Sequence, residues 1–192
     1  MFNSPYPFCS LGKADTNERN PHKRMFYKFY AKHRTYLVTL EFYSFHLVAI
    51  KYCDVKDKNM RNAYHKIFND QDAYRVIGTC FHIMHKHWQR DPNVNFVFYA
   101  SLRDITDELL STKTIKEENV AAFKERYSRA RYSIYRYGMV NLFPYDYFTQ
   151  LSDKKNCVYV LINKKQTKPS IIIDNLKAFL LKNHDIIFSP EG

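Results

Sequence analysis

The spacing of apolar residues along this chain changes character several times. Thr35 to Tyr43 places Tyr36, Val38, Leu40 and Phe42 on one parity, the period of two that a half-buried strand requires. Met25 to Lys32 alternates more weakly, and Phe45 to Val55 is rich in Val, Ile and Tyr. The breaks at His33-Arg34 and Ser44 are short, which predicts antiparallel strands over 25–32, 35–43 and 46–55. The period then lengthens to that of a helix. Ala73, Val76, Ile77, Cys80, Phe81, Met84 and Trp88 make one stripe over 70–90, with Asp70 as N-cap. Asp91-Pro92 ends it, because the residue before proline avoids helical backbone. Asn95 to Ala100 (NFVFYA) reads as a short buried strand.

The longest helical pattern runs from Glu117 to Phe143, with the helix itself over 117–138. Val120, Phe123, Tyr127, Ala130, Ile134 and Tyr137 form its stripe, and Lys124, Arg126, Arg129, Arg131 and Arg136 lie off it. Its twenty-odd residues would span roughly 30 Å. Gly138 and Pro144 bracket its end, and Tyr145, Tyr147 and Phe148 continue as an aromatic loop. Cys157 to Ile162 (CVYVLI) predicts a strand and Ile171 to Lys182 a last helix capped by Ser170, with 186–188 as an edge strand. Residues 56–69 and 101–116 carry no period and read as polar connections. Residues 1–24, with prolines at 5, 7 and 21, read as an arm. The expectation is an α/β (α+β) domain over 25–192, an antiparallel β-meander with two packing helices. Its order is β-β-β-α-β-α-β followed by a C-terminal helix.

Composition narrows the function classes. With 45% hydrophobic and 26% charged residues, the 192-residue chain is that of a folded domain. Its net charge of +11 points to an anionic partner: nucleic acid, an anionic membrane surface or an acidic protein. No apolar run approaches the ~20 residues that span a bilayer, so no membrane association is expected. Cys9, Cys53, Cys80 and Cys157 are scattered with no CxxC pair, and no signal peptide is visible, which predicts a cytoplasmic protein with free thiols.

Candidate chemistry is sparse. His82 and His85 sit three apart, the spacing of two metal ligands on one helical face. No third and fourth ligand follow at a recognisable spacing, and no metal or other cofactor is expected. Asp104, Asp107 and Glu108 read as a solvated face rather than a metal-gathering set. No local signature pairs a nucleophile with a base. The strongest signal is the interleaving of cation and ring in the long helix. Arg126, Arg129, Arg131 and Arg136 offer guanidinium forks to phosphate, and Tyr132, with Tyr135, offers rings to bases. An ordinary solvated helix face carries the same residue types. The reading is a non-catalytic protein that contacts nucleic acid through Arg126, Arg129, Arg131, Tyr132 and Arg136. Its alternative as a binder is a basic subunit with an acidic partner.

The element order resembles the central part of the GNAT acyltransferase fold: a three-strand meander, a helix, a strand, a helix and a strand. That resemblance implies acetyl-CoA held by a Q/R-x-x-G-x-G/A turn before the first helix. Here the turn falls between Val55 and Tyr74, where there is no glycine, so the expected acyltransferase has a degenerate CoA loop. A second likeness is local. AYRVIGTCFHIMHKHWQRDPNVNFVFYAS followed by ERYSRARYSIYRY resembles uncharacterised short bacterial proteins with a helix, a strand ending in a small residue and Ser, and an R-x-R-x-x-Y helix. It implies a bacterial protein with a degenerate GNAT-like fold and assigns no function.

Overall fold

Alternation in the first third of the chain yields a sheet larger than the sequence predicts. A computed structural model describes residues 4–16, 21–59, 72–99, 110, 115–184 and 186–190. Its strands are β1 (Phe8–Asp15), β2 (Lys23–Tyr30), β3 (Thr35–Tyr43), β4 (Leu47–Asp54), β5 (Asn95–Tyr99), β6 (Phe148–Asp153) and β7 (Val158–Asn163). They form one seven-stranded sheet in the order β1-β2-β3-β4-β5-β7-β6. β4 and β5 are parallel, and every other neighbouring pair is antiparallel. Among the described residues three longer helices flank the sheet: α1 (Ala73–Arg90) between β4 and β5, α2 (Val120–Leu142) between β5 and β6, and α3 (Pro169–His184) after β7.

The sheet is covered on both faces. Val48 and Ile50 of β4, Phe96 and Phe98 of β5, and Tyr159 and Leu161 of β7 pack with α1 and α2. The alternate residues Leu47, Ala49, Val97, Val158, Val160 and Ile162 pack under α3. β7 is therefore buried at all six positions, which explains its unbroken apolar run. On the first face Phe81 of α1 meets Phe98 edge-on at 5.0 Å, and Tyr135 of α2 meets Phe98 at 5.3 Å.

Several expectations are corrected. The meander over 25–32, 35–43 and 46–55 forms within a residue or two of its predicted bounds, but two strands flank what was read as arm and loop. Residues 8–15 pair with β2 as an edge strand; their near-complete exposure is why no apolar alternation marks them. Phe148, placed in an aromatic loop, begins β6. Among the described residues the order is therefore β-β-β-β-α-β-α-β-β-α rather than β-β-β-α-β-α-β plus a helix. Residues 186–188 form no strand; Ile186 and Phe188 bury their side chains in the α3-side core instead. Asp70, the expected N-cap, lies outside the described residues, as does most of 101–116 with Asp104, Asp107 and Glu108.

The buried face of α2 is also displaced. Tyr137, expected inside, is 57% exposed, whereas Tyr135 is 4% exposed. The helix runs four residues past its predicted end at 138, and those added residues bring Met139 and Leu142 into the core. Ile134 of the expected stripe still packs against the core, but the buried face is set by Tyr135, Met139 and Leu142, rotated by about 100° from that stripe, one residue's worth of helical turn. A paired substitution tests this. Tyr135→Ala is expected to cost ~3–5 kcal/mol of unfolding free energy in urea titrations, as for a buried aromatic, and Tyr137→Ala to change it by less than ~0.5 kcal/mol. Equal effects would contradict the orientation of α2.

His87 faces inward from α1, edge-on to Phe42 with ring centroids 5.0 Å apart, and its Nε2 has no hydrogen-bond partner. Burial pushes its pKa down, Asp91 opposes this, and Lys23 and Arg90 add to the depression. His85 is likewise lowered by burial and by His82. A folded state whose histidines resist protonation loses stability once the unfolded chain takes up those protons, below the ordinary histidine value of ~6.5. The urea midpoint is therefore expected to fall on acidification from about pH 7.5 to about pH 5, and His87→Leu to remove part of that fall. A drop of unchanged size in the folded variant would show that His87 is not a source of it.

Candidate nucleic-acid interface

α2 begins after a 3-10 turn, Glu117–Asn119, whose two glutamates favour the positive end of the helix dipole. Of the residues expected to meet nucleic acid, Arg126 and Arg136 are exposed, and neither pairs with a carboxylate among the described residues. The backbone at Arg129, Arg131 and Tyr132 belongs to α2, but their side chains lie outside the described residues. Tyr135, expected to stack on bases, is core and is corrected to a structural role. Tyr137 and Val140 are exposed one and four positions beyond Arg136.

The interior uses several acids without freeing them to neutralise this surface. Glu41 on β3 accepts from Arg24 Nε at 3.1 Å, Lys51 Nζ at 2.8 Å and Tyr43 Oη at 2.8 Å. Burial alone would raise the Glu41 pKa; the Lys51 charge and these three donors outweigh it and hold the carboxyl ionised below its usual range. Asp54 pairs with Arg34 at 3.2 Å and caps the turn at Lys56. Asp153 accepts from Asn156 and from the Ser189 amide. In contrast Lys164, Lys165 and Lys168, exposed between β7 and α3, form no ion pair with a described carboxylate.

Of these, Lys165 borders a cleft of about 350 Å³. α1 supplies His85, Trp88 and Gln89 at its C-terminal end; Tyr147 precedes β6, and Lys165 follows β7. The fold fixes each wall. Trp88 packs against Phe148 at 5.0 Å and Tyr147 at 5.4 Å, with the two rings at 64° to it or within a degree of that. The Lys164 amide donates to the Tyr147 carbonyl at 2.8 Å. Asn163 is spent on structure: its Nδ2 donates to the Pro92 carbonyl and its Oδ1 accepts from the Lys165 amide. The indole N–H of Trp88 makes no hydrogen bond among the described residues. Sequence reasoning placed Trp88 in a core stripe and Tyr147 in a loop, and gave Lys165 no role. The aromatic run at 145–148 was the available signal, but only the order β5-β7-β6 brings it beside the end of α1.

At the other end of α1 the chemistry is different. The segment before β1 lies across its first turns. The Tyr6 amide donates to Thr79 Oγ1 at 2.9 Å, Tyr6 Oη donates to Asp72 Oδ2 at 2.9 Å, and Arg75 Nε donates to the Ser4 carbonyl at 2.9 Å. Arg75 also sits 4.0 Å over the Tyr6 ring. Thus the N-cap residue is an acid engaged by the protein itself, an unfavourable neighbour for a phosphate.

The remaining candidates are weak chemically. Burial and the charges of Asp54 and Asp57 push the Cys53 thiol up to about 11, and burial raises Cys80 further, so neither is a ready thiolate. Cys9 is exposed, and all four cysteines are free. Among the described residues no three His, Cys, Asp or Glu side chains gather as a metal set. No helix among them is long and apolar enough to cross a membrane. No protein-family model, curated protein or solved structure matches the chain.

Proposed function

We propose that this is a non-catalytic cytoplasmic protein that binds nucleic acid through its basic surface, on a GNAT-like scaffold. The observation that carries the binding reading is the pair Arg126 and Arg136, exposed on one long helix and free of carboxylate partners among the described residues. Unpaired guanidinium groups bind phosphate without first giving up an internal ion pair, and phosphate contact alone supplies affinity without reading sequence. The scaffold reading is supported by the sheet order, with β4 and β5 as its parallel pair and α1 crossing between them. Four free thiols fit a reducing compartment.

A GNAT-like acyltransferase is the second reading, favoured by one feature. The β4–β5 ladder stops after Leu47, Val48 and Ala49, so Ile50 to Asp54 continue without pairing to β5. Against it stand the absence of glycine between Val55 and Tyr74 and the engaged Asp72 at the start of α1. A calorimetric titration with acetyl-CoA is expected to show no saturable heat, and a micromolar dissociation constant would replace the binding reading with the enzyme.

The binding reading is tested by changing Arg126, Arg129 and Arg136 together to Gln, nearly as good a helix former. Affinity for a nucleic-acid duplex is then expected to weaken alike on all sequences. The log–log salt slope should flatten by ~0.7–0.9 for each arginine that meets a phosphate. Unchanged affinity and slope in a variant that circular dichroism shows to be folded would make these arginines ordinary surface. Equal affinity of the native protein for polyglutamate would replace nucleic acid with an acidic protein as the partner.

A further inference from the structure

The cleft at the C-terminal end of α1 is not needed for duplex phosphate binding, and its composition selects among ligands. Its volume of about 350 Å³ lies at the lower end of the ~300–1,000 Å³ of small-ligand sites. Two of its walls, Trp88 and Tyr147, are aromatic rings set at 64° to each other, so they make a corner rather than a sandwich. A flat heterocycle stacks on one ring and meets the other edge-on, both favoured ring geometries. Tyr147 is half exposed, which leaves its ring reachable from solvent, whereas Phe143 and Phe148, which pack against Trp88, are fully buried and fix the indole. Polar atoms for the edge of such a heterocycle come from the Gln89 carboxamide and the Trp88 indole N–H. His85 stands at 5.4 Å from the indole, edge-on.

Charge then excludes other aromatic-binding ligands. No carboxylate lines the cleft, and Lys165 stands at its rim with Lys164 and Lys168 close by in sequence. Quaternary ammonium and methylated lysine, which also seek aromatic walls, would meet like charge there. A base attached to a phosphate meets both needs at once, the ring in the corner and the phosphate on the lysine. In a duplex the bases are stacked and their faces inaccessible, so only an unpaired base can enter.

We propose that the corner of Trp88 and Tyr147, with Lys165 at its rim, holds one unstacked base of a single-stranded nucleic acid. The inference rests on the nucleic-acid reading above and adds strand selectivity to it. Trp88 lies sixteen residues along α1 from Asp72, about 24 Å at ~1.5 Å per residue, so the site is separate from the place where the GNAT resemblance would put a cofactor.

Trp88 is the chain's single tryptophan, so its fluorescence reports this cleft alone. The full-length protein is titrated with a short oligouridylate, a short oligothymidylate and a DNA duplex of equal length. Trp88 fluorescence and the anisotropy of end-labelled strands are followed in parallel. The single strands are expected to quench Trp88 saturably, and the duplex to bind by anisotropy without quenching. Tyr147→Ala, an exposed position whose folding circular dichroism checks, is expected to weaken single-strand binding about ten- to hundred-fold and leave duplex binding unchanged. Lys165→Gln should weaken single-strand binding and flatten its salt dependence by about one phosphate's share. Binding of every strand without quenching, and with full affinity in folded Tyr147→Ala, would overturn the cleft while the nucleic-acid reading stands. No binding of any strand would overturn both. Quenching by oligouridylate alone, or by oligothymidylate alone, would keep the cleft and assign it to RNA or to DNA.

Discussion

The structure turns on the seating of Asn95, a buried amide at the start of β5. Its backbone N–H donates to the His46 carbonyl at 2.8 Å and its Nδ2 to the Phe45 carbonyl at 3.0 Å, while its Oδ1 accepts from the Asn163 amide at 2.9 Å. One residue therefore joins the antiparallel meander on one side to β7 on the other. The join matters because the parallel ladder between the two halves is only three residues long. It also accounts for a strained turn. Phe45 and His46 have φ of 64° and 53°, left-handed backbone that residues other than glycine adopt at a cost of order 1–3 kcal/mol each. Both of their carbonyls point at Asn95, and the hydrogen bonds made there offset that strain. The same amide line continues outward: Asn163, held by Asn95, holds the Pro92 carbonyl and the Lys165 amide. The rim of the aromatic cleft is thus positioned from the centre of the sheet.

What could be read in the sequence follows from this arrangement. β3 alternates because Tyr36, Val38 and Leu40 enter the core under α1 and α2, and α1 shows its stripe because Val76, Ile77, Cys80, Phe81 and Met84 enter the same core. β7 reads as a strand because it is buried on both sides. β1 escaped because an exposed edge strand needs no apolar face; its bulge at Gly12, with φ of 118°, breaks the residual alternation as well. β6 escaped because Phe148, at its first position, is its only fully buried apolar residue, with Leu151 packing partly against the α3-side core. On α2 the sequence carries two overlapping stripes, one through Ile134 and Tyr137 and one through Tyr135, Met139 and Leu142. Periodicity cannot choose between faces one residue apart. The choice is made by Phe81 and Phe98, which receive Tyr135.

The site was less legible than the fold for a different reason. Arginines on a helix are visible in sequence as an exposed set, and Arg126 and Arg136 lie where that set predicts. The cleft is a product of topology: residues 88, 147 and 165 have no shared local pattern. They meet because the β6–β7 hairpin returns the chain so that β7 pairs with β5, carrying both hairpin ends to the C-terminus of α1. Trp88 looked like core because a large ring in an apolar stripe usually is, and half of it is core here, packed on Phe148 and Phe143. The amphipathic character of tryptophan, an apolar body with one N–H, suits a ring that is buried on one side and available on the other.

The two ends of α1 separate what the scaffold resembles from what its surface offers. In the fold that the element order resembles, the N-terminal end of this helix receives a phosphate through bare backbone amides. Here that end carries Asp72, whose carboxylate is held by Tyr6, and a guanidinium, Arg75, that is turned onto the Tyr6 ring and the Ser4 carbonyl. An acid at the positive end of a helix dipole is already favourably placed, and displacing it by phosphate would exchange one anion for another while breaking the Tyr6–Asp72 hydrogen bond. The C-terminal end has no such internal occupant. Its indole N–H and Lys165 make no hydrogen bond or ion pair through their side chains among the described residues, and the Tyr147 ring is half exposed. That contrast is the physical reason the proposed unstacked-base site is placed at the far end of α1, where it does not depend on whether the scaffold once held a cofactor.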